Sequence, residues 1–453
     1  PDLLEEVTHL VEQPTAFLGS FAEERLKLPQ PVLITVMKKH QRYFPLVAKD
    51  TNGPAGSAAL LPHFIAVRNG GSEHLDIVRR GNEGVLRARY ADAAYFFEAD
   101  TARKLEAFLP RLDTLTFQEQ LGSMLDKSKR LETLAPQIGE RLQLTAEEMK
   151  TVERAAHLCK ADLATQMVVE LTSLQGIMGS EYAKLSGESE AVAVAIAEHY
   201  YPQAPLPSET LSRPGLALNL ANRLDNLCGL FAMGKAPTGS ADPFALRRDA
   251  LSLVTNLIET ETEFSLVEGL ELAAKLMPAD VSDRSLAETT DFIKRRLEGV
   301  LRDEHKLPHD IVQAVLAERR DNPWAALVAA RDLTESVARP DWADILNAYA
   351  RCVRIVRTLD ERYTVRPGLY SEPAEKALYT AYQQARASLT SNSSMAAVID
   401  ALRDILVQPI NTFFDKVLVM AEDEAIKQNR LALLQDIRDL TRGYADFSEL
   451  QGF

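Results

Sequence analysis

The chain has 453 residues, 46% hydrophobic and 26% charged, with a formal net charge of −14. That composition belongs to folded globular cores and excludes fibrous and disordered classes, and the length calls for two to four domains. No apolar run is long enough to span a bilayer, and no charged-then-apolar signal segment opens the chain. Taken whole, the acidic balance argues against nucleic acid as a partner, yet a local basic stripe decides where a polyanion docks.

Residues 1–105 read as a mixed α/β lobe. Pro31–Val36 (PVLITV) is an apolar, β-branched run and predicts a buried strand; Tyr43–Ala48 predicts a second and His63–Val67 a third. Thr51–Pro62, rich in Gly, Pro, Ala and Ser, reads as a loop, Asn69-Gly70-Gly71 as a turn, and helical spacing starts near Val85. The first residue is Pro1 rather than Met, which predicts that an N-terminal part has been removed.

Residues 106–270 read as almost all helix. Leu121, Met124, Leu125, Leu131 and Leu134 approximate one apolar face. Val152, Ala156, Cys159 and Leu163 make another, and Leu216, Leu220, Leu224 and Leu227 a third. Four prolines break the pattern over Tyr201–Pro214. Asp242 is placed to cap a helix whose first residue is Pro243. Residues 271–335 predict a charged helical connector, and residues 336–453 a last helical unit interrupted at Arg366-Pro367-Gly368 and Ser391–Ser394. Cys159, Cys228 and Cys352 are far apart and form no CxxC pair, so they read as reduced core residues of a cytoplasmic protein.

Four groupings bear on chemistry. Lys38, Lys39, His40 and Arg42 sit beside Tyr43 and Phe44, a mixture suited to single-stranded RNA; alternatively both aromatics face the core. Arg79, Arg80, Arg87 and Arg89 suit phosphates, or pair with Glu83, Asp92 and Glu98. The 106–270 region has the layout of an HD-type metal phosphohydrolase, but with Lys127 and Ala161 at the histidine positions and only Asp162 and Asp225 kept. That predicts a degenerate site with no metal, and His157 and His199 read as structural. Arg351, Arg354 and Arg357 fall on one helical face, and Lys416, Lys427, Arg430, Arg438 and Arg442 add charge later, either for RNA or for a salt-bridged surface. No GxSxG, HExxH, GxGxxG or GxxxxGK[ST] pattern occurs, so no catalytic residue is assigned.

Five stretches in order give the chain a resemblance: Met37–Phe44 (MKKHQRYF), Gly81–Asp100, Lys160–Gly179, Asp242–Ala250 and Phe413–Leu434. Together they resemble the β subunit of bacterial heterotetrameric glycyl-tRNA synthetases, whose full-length chain is longer at its N-terminus. The resemblance implies a mainly α, multidomain chain: an α/β lobe (1–105), a degenerate HD-like domain (106–270), a helical linker (271–335) and an anticodon-binding bundle (336–453) of the arginyl-tRNA synthetase type. It implies tRNA-Gly as partner, held for ATP-dependent charging, and an α subunit in an α2β2 assembly. ATP and Mg would bind the α subunit, with no cofactor in this chain, which alone would be inactive. The expected tRNA contacts are Lys38, Lys39, Arg42, Arg87, Arg89, Arg351, Arg354, Arg357, Lys416, Lys427 and Arg430. Two other expectations stand beside it: an active HD phosphohydrolase, and a non-catalytic helical adaptor.

Overall fold

Alternating small and aromatic residues set up the one substantial sheet. Strands β1 (Pro14–Ser20), β2 (Phe44–Val47) and β3 (Leu60–Asn69) pair antiparallel in the order β1-β3-β2. Phe17, Phe64 and Ala66 point to the buried face. Gly19 lies opposite Phe64, and a Cβ there would stand 2.3 Å from the Phe64 ring, so only glycine fits. The computed structural model describes residues 2–48, 59–202, 210–390 and 393–453. Most of the Thr51–Pro62 loop, part of the Tyr201–Pro214 break and Ser391-Asn392 lie outside the described residues.

The strand expected at Pro31–Val36 is a helix. Helix α1 is Asp2–Leu10, and α2, Gln30–Thr35, continues into a wide turn over Val36–His40. Pro31 stands in the first turn, where its missing N–H leaves no bond unmade. Val32, Leu33, Val36 and Met37 are buried, a helical rather than alternating set. The other two expected strands are β2 and β3. The sequence reading missed β1, which opens on proline and contains glycine.

Helix α3, Leu75–Thr101, packs on the sheet. The side chain of Glu83 accepts from the Ser20 amide at 2.9 Å, Tyr43 donates to Asn82, and Tyr90 donates to the Leu33 carbonyl at 3.2 Å. After a 3-10 segment, Leu105–Thr114, and the short hairpin β4 (Thr116–Gln118) and β5 (Gly122–Ser123) come α4 (Met124–Arg141), α5 (Ala146–Leu158), α6 (Gln166–Glu170), α7 (Ile177–Leu185), α8 (Glu190–Glu198) and α9 (Arg213–Ala232). Ser123 with Asp126, and Thr145 with Glu148, form capping boxes that start α4 and α5. Leu216, Leu220, Leu224 and Leu227 are all buried, as their spacing predicts.

The remaining helices are α10 (Leu246–Glu259), α11 (Leu266–Ala274), α12 (Asp283–Gly299), α13 (His309–Arg319), α14 (Pro323–Val337), α15 (Trp342–Val356), α16 (Pro373–Ser388), α17 (Met395–Ala401), α18 (Val407–Lys416) and α19 (Glu424–Arg438). Asp242 serves the start of α10, but that helix begins three residues further along than expected, at Leu246: the Asp242 carboxylate accepts from the Leu246 and Arg247 amides at 2.8 and 2.9 Å. Two compact units result, Pro1–Gly229 with Leu272–Asp280, and Leu230–Glu271 with Val281–Phe453. The chain is mainly helical in both, and no helix among the described residues is long and apolar enough to cross a membrane.

Asp100 ties the end of α3 to the helices that follow. Its two oxygens accept from the Gln166 and Met167 amides, both at 2.9 Å, and from the Tyr182 hydroxyl at 2.9 Å. Replacing it with alanine strands buried donors, each costing ~1–3 kcal/mol. Asp100→Ala should therefore lower the unfolding free energy of the first unit by about 3 kcal/mol, and Asp100→Asn by less. Equal thermal unfolding of Asp100→Ala and the parent would refute this role.

Candidate functional site

The histidine-depleted site is filled from within. Lys127, on α4, projects Nζ to 2.6 Å from Oδ2 of Asp225 on α9, and to 2.7 Å from Oδ1 of Asn226. Arg130, one turn further along α4, reaches the other oxygen of Asp225 at 2.6 Å through Nε and the Leu121 carbonyl at 3.0 Å. Asp225 is fully buried. Burial opposes its ionisation, but Lys127 and Arg130 outweigh it and hold its carboxyl below the usual range. An ammonium and a guanidinium thus occupy the side of Asp225 that a cation would need.

The other retained carboxylate has turned elsewhere. Oδ2 of Asp162 accepts from the Gly176 amide at 2.6 Å and the Gly179 amide at 3.2 Å, at the start of α7. Ala161 is buried beside it and offers no ligand atom. Burial pushes Asp162 up to about 6. Nearby, Lys160 places Nζ 2.9 Å from Nε2 of His199 and 3.0 Å from the Tyr200 hydroxyl, and burial brings it down to about 8. Burial also holds His199 neutral. His157 lies at the surface between Glu132 (2.9 Å) and Glu106 (3.0 Å). Among the described residues no three metal-ligating side chains converge. The geometry does not fit a water-activating metal, because a cationic nitrogen already engages each oxygen of Asp225.

In the N-terminal lobe the structure divides the cationic group. Lys38 and Lys39 lie exposed on the wide turn after α2 and make no ion pair among the described residues. Arg42 pairs with Glu6 at 2.6 Å. Tyr43 and Tyr90 are core residues, Tyr43 stacked on Phe64 at 4.7 Å, so neither offers a ring to a base. Arg87 and Arg89 are exposed on α3; Glu83 is engaged by Ser20, and Arg80 by Asp76 at 3.1 Å.

The C-terminal cations divide likewise. Arg351 lies 4.5 Å over the Phe414 ring and bonds Asn411 at 3.2 Å. Arg354 lies 5.5 Å over Phe453. Arg357 lines a cleft of about 360 Å³ with Arg438 and Arg442. Lys416 is exposed, and Lys427 pairs with Glu424 at 3.1 Å. Arg430 is buried, bonded to Glu375 at 2.5 Å and to the Leu418 carbonyl at 2.7 Å, and so holds α19 to α16 from inside. A second cleft, between the Arg362–Val365 segment and α16, is lined by Tyr379, Tyr382, Gln383, Arg386 and Asp436. The sequence reading did not find it. Its signal was the spacing of Tyr379, Tyr382 and Arg386, which puts them on one face of a helix, but Arg362 and Asp436 come from distant segments.

The family profile of the glycyl-tRNA synthetase beta subunit matches residues 1–317, and that of the DALR anticodon binding domain matches residues 345–443. The chain belongs to the glycyl-tRNA synthetase beta subunit family. It is 42% identical to the glycine–tRNA ligase beta subunit of Moorella thermoacetica, over 99% of this chain and 65% of that relative. The Bacillus subtilis beta subunit is 39% identical over 99% of this chain and 64% of its own length. The glycine–tRNA ligase, chloroplastic/mitochondrial 2, of Arabidopsis thaliana is 39% identical over the whole of this chain and 42% of its own length. The chain therefore spans less than two thirds of these relatives.

The buried carboxylates make opposite contributions with pH. Asp162 has a folded pKa of about 6 against about 3.9 in an unfolded chain, so between those values the folded state binds the extra proton. Its contribution to stability falls as pH rises through that window, by about 3 kcal/mol in total. In Asp162→Asn, thermal unfolding should lose that part of the decline between pH 4 and 6. An identical pH dependence in parent and variant would contradict the assignment.

Proposed function

We propose that the chain is the tRNA-holding part of a glycine–tRNA ligase. It grips tRNA-Gly while a separate α subunit, in an α2β2 assembly, charges it with glycine. ATP, Mg²⁺ and glycine bind that partner in the cytoplasm, and this chain contributes no catalytic residue and no cofactor. The observation that carries the reading is a DALR anticodon binding domain match over residues 345–443 within a chain matched along its preceding length by the synthetase beta subunit family. Two features support it: exposed cations without ion pairs on α3 and the turn before β2, and an HD-like site whose remaining carboxylates are bonded to Lys127, Arg130 and backbone amides.

The net charge of −14 is compatible with this role. Beyond about 8 Å, carboxylates elsewhere on the surface are screened at physiological salt. Arg87 and Arg89 make no ion pair among the described residues, so their charge is available to phosphate at little desolvation cost.

The reading is tested by binding of the full-length beta chain to tRNA-Gly and to an anticodon-swapped tRNA-Gly across a salt series. The expected result is a preference for the native anticodon that deletion of residues 336–453 abolishes. An equal preference after the deletion would remove the anticodon role. Arg87→Ala with Arg89→Ala should weaken binding to both tRNAs alike and lower the salt slope by about one unit per lost phosphate contact. Aminoacylation should need the α subunit, and charging by this chain alone would overturn the division of labour.

A further inference from the structure

The cleft beside α16 has the chemistry of a nucleobase pocket rather than of a phosphate or lipid site. Its volume is about 750 Å³, within the ~300–1,000 Å³ of small-molecule sites. One wall is the half-exposed ring of Tyr379, held at its hydroxyl by Nε2 of Gln383 at 3.0 Å and flanked by Tyr370 at 5.5 Å. Tyr382, one turn on, is buried, and its hydroxyl accepts from Arg386 at 3.3 Å. That bond orients a guanidinium which makes no ion pair among the described residues. Asp436, on α19, completes the lining, and Arg362 engages its Oδ1 at 2.5 Å. Burial raises the Asp436 carboxyl pKa despite Arg362 and Arg386, so its charge sits in a poorly solvated place.

These groups narrow the ligand. Asp436 would repel a phosphate, and a purely apolar ligand would strand Asp436 and Arg386. An unstacked base uses everything present: its face lies on Tyr379, and its edge offers both donors and acceptors. The cleft lies within the 345–443 match. We infer that the Tyr379–Arg386–Asp436 cleft reads one anticodon cytosine of tRNA-Gly. This rests on the function proposed above. Glycine codons begin with two guanines, so the anticodon carries two cytosines. The cytosine amino group donates to Asp436, while its ring nitrogen and carbonyl accept from Arg386. Uracil would turn a carbonyl oxygen to the carboxylate.

The test is equilibrium binding of the full-length beta chain to tRNA-Gly and to transcripts with uracil at each anticodon cytosine in turn. The parent should bind one of the two substituted tRNAs about 10-fold or more weakly, the range of a good bidentate contact. Asp436→Asn, whose amide donates to the uracil carbonyl, should cut that penalty to about 2-fold. Arg362→Ala breaks the same ion pair but should keep the discrimination, which separates base reading from structural damage. Tyr379→Leu should weaken both tRNAs about 10-fold alike, because stacking is blind to the base edge. If Asp436→Asn lowers the melting temperature, Arg386→Ala provides the same readout from an exposed position. A parent that discriminates alongside Asp436→Asn and Arg386→Ala variants that discriminate equally well overturns the cleft assignment alone. A parent indifferent to both anticodon cytosines overturns the proposed anticodon role with it.

Discussion

The helical half of the first unit depends on one buried carboxylate held between two cations. Asp225 is fully enclosed, and without Lys127 and Arg130 its charge would cost several kcal/mol to bury. With them, α4 and α9 are pinned together through both oxygens of one side chain, and the turn of the β4–β5 hairpin is joined to them by the bond from Arg130 to the Leu121 carbonyl. The arrangement supplies the cross-link that a bound metal would give, without the metal's chemistry. A metal ion accepts the lone pair of a water and lowers its pKa. A protonated amine has no empty orbital to accept one, so it reproduces the cross-link and not the Lewis acid. Lys127 also lies 4.7 Å from the Phe117 ring centroid, whose face favours a cation.

Satisfying the second carboxylate with backbone amides has a structural consequence as well. Asp162 caps the start of α7, and Gly179 leaves room for it, since a Cβ there would approach its carboxyl to 3.0 Å. Asp100 does the same for α6. Both acidic side chains, Asp162 among them as a candidate ligand in the sequence, therefore serve helix starts, where amides lack intrahelical partners and the dipole favours negative charge. The polar interior of this unit is spent on geometry.

How far the sequence revealed this differs by element. The long amphipathic helices were legible because burial follows a 3.6-residue period: the four α9 leucines are all inside. PVLITV was misread because a continuous apolar run of six carries no period, and the deciding feature was a proline in the first turn of a helix. The Lys127–Asp225 contact joins two positions that the sequence singles out. Arg130 is not among those positions, since its pairing with Asp225 spans 95 residues of chain and leaves no local trace. The tyrosines show the same limit. Spacing leaves Tyr43 open between a surface beside cations and the core, and the fold puts it in the core, while Tyr379, unremarked in the sequence, borders a cleft. Adjacency in sequence predicts shared surface poorly wherever the side-chain direction alternates.

The surface cations follow a rule that bears on specificity. Several arginines of the second unit are bound by a neighbouring acid: Arg339 to Asp341 and Asp400, Arg362 to Asp436 and Asp439, Arg403 to Asp404. Such pairs present little net field to a polyanion. An acidic chain that pairs part of its cationic charge internally is a poor general binder of nucleic acid, and non-specific adsorption along a phosphate backbone is suppressed. Among the cations that make no ion pair with the described residues are Lys38, Lys39, Arg87 and Arg89 in the first unit, and Arg357, Lys416 and Arg386 in the second. Their free charge counts because the surroundings are neutral or negative. Attraction is confined within a Debye length of each group, so a polyanion would be held strongly only in poses that meet several of them at once. A basic surface would gain affinity at the expense of this selectivity. The acidic composition that first argued against a nucleic-acid partner is thus also a background against which local clusters of exposed cations would be selective.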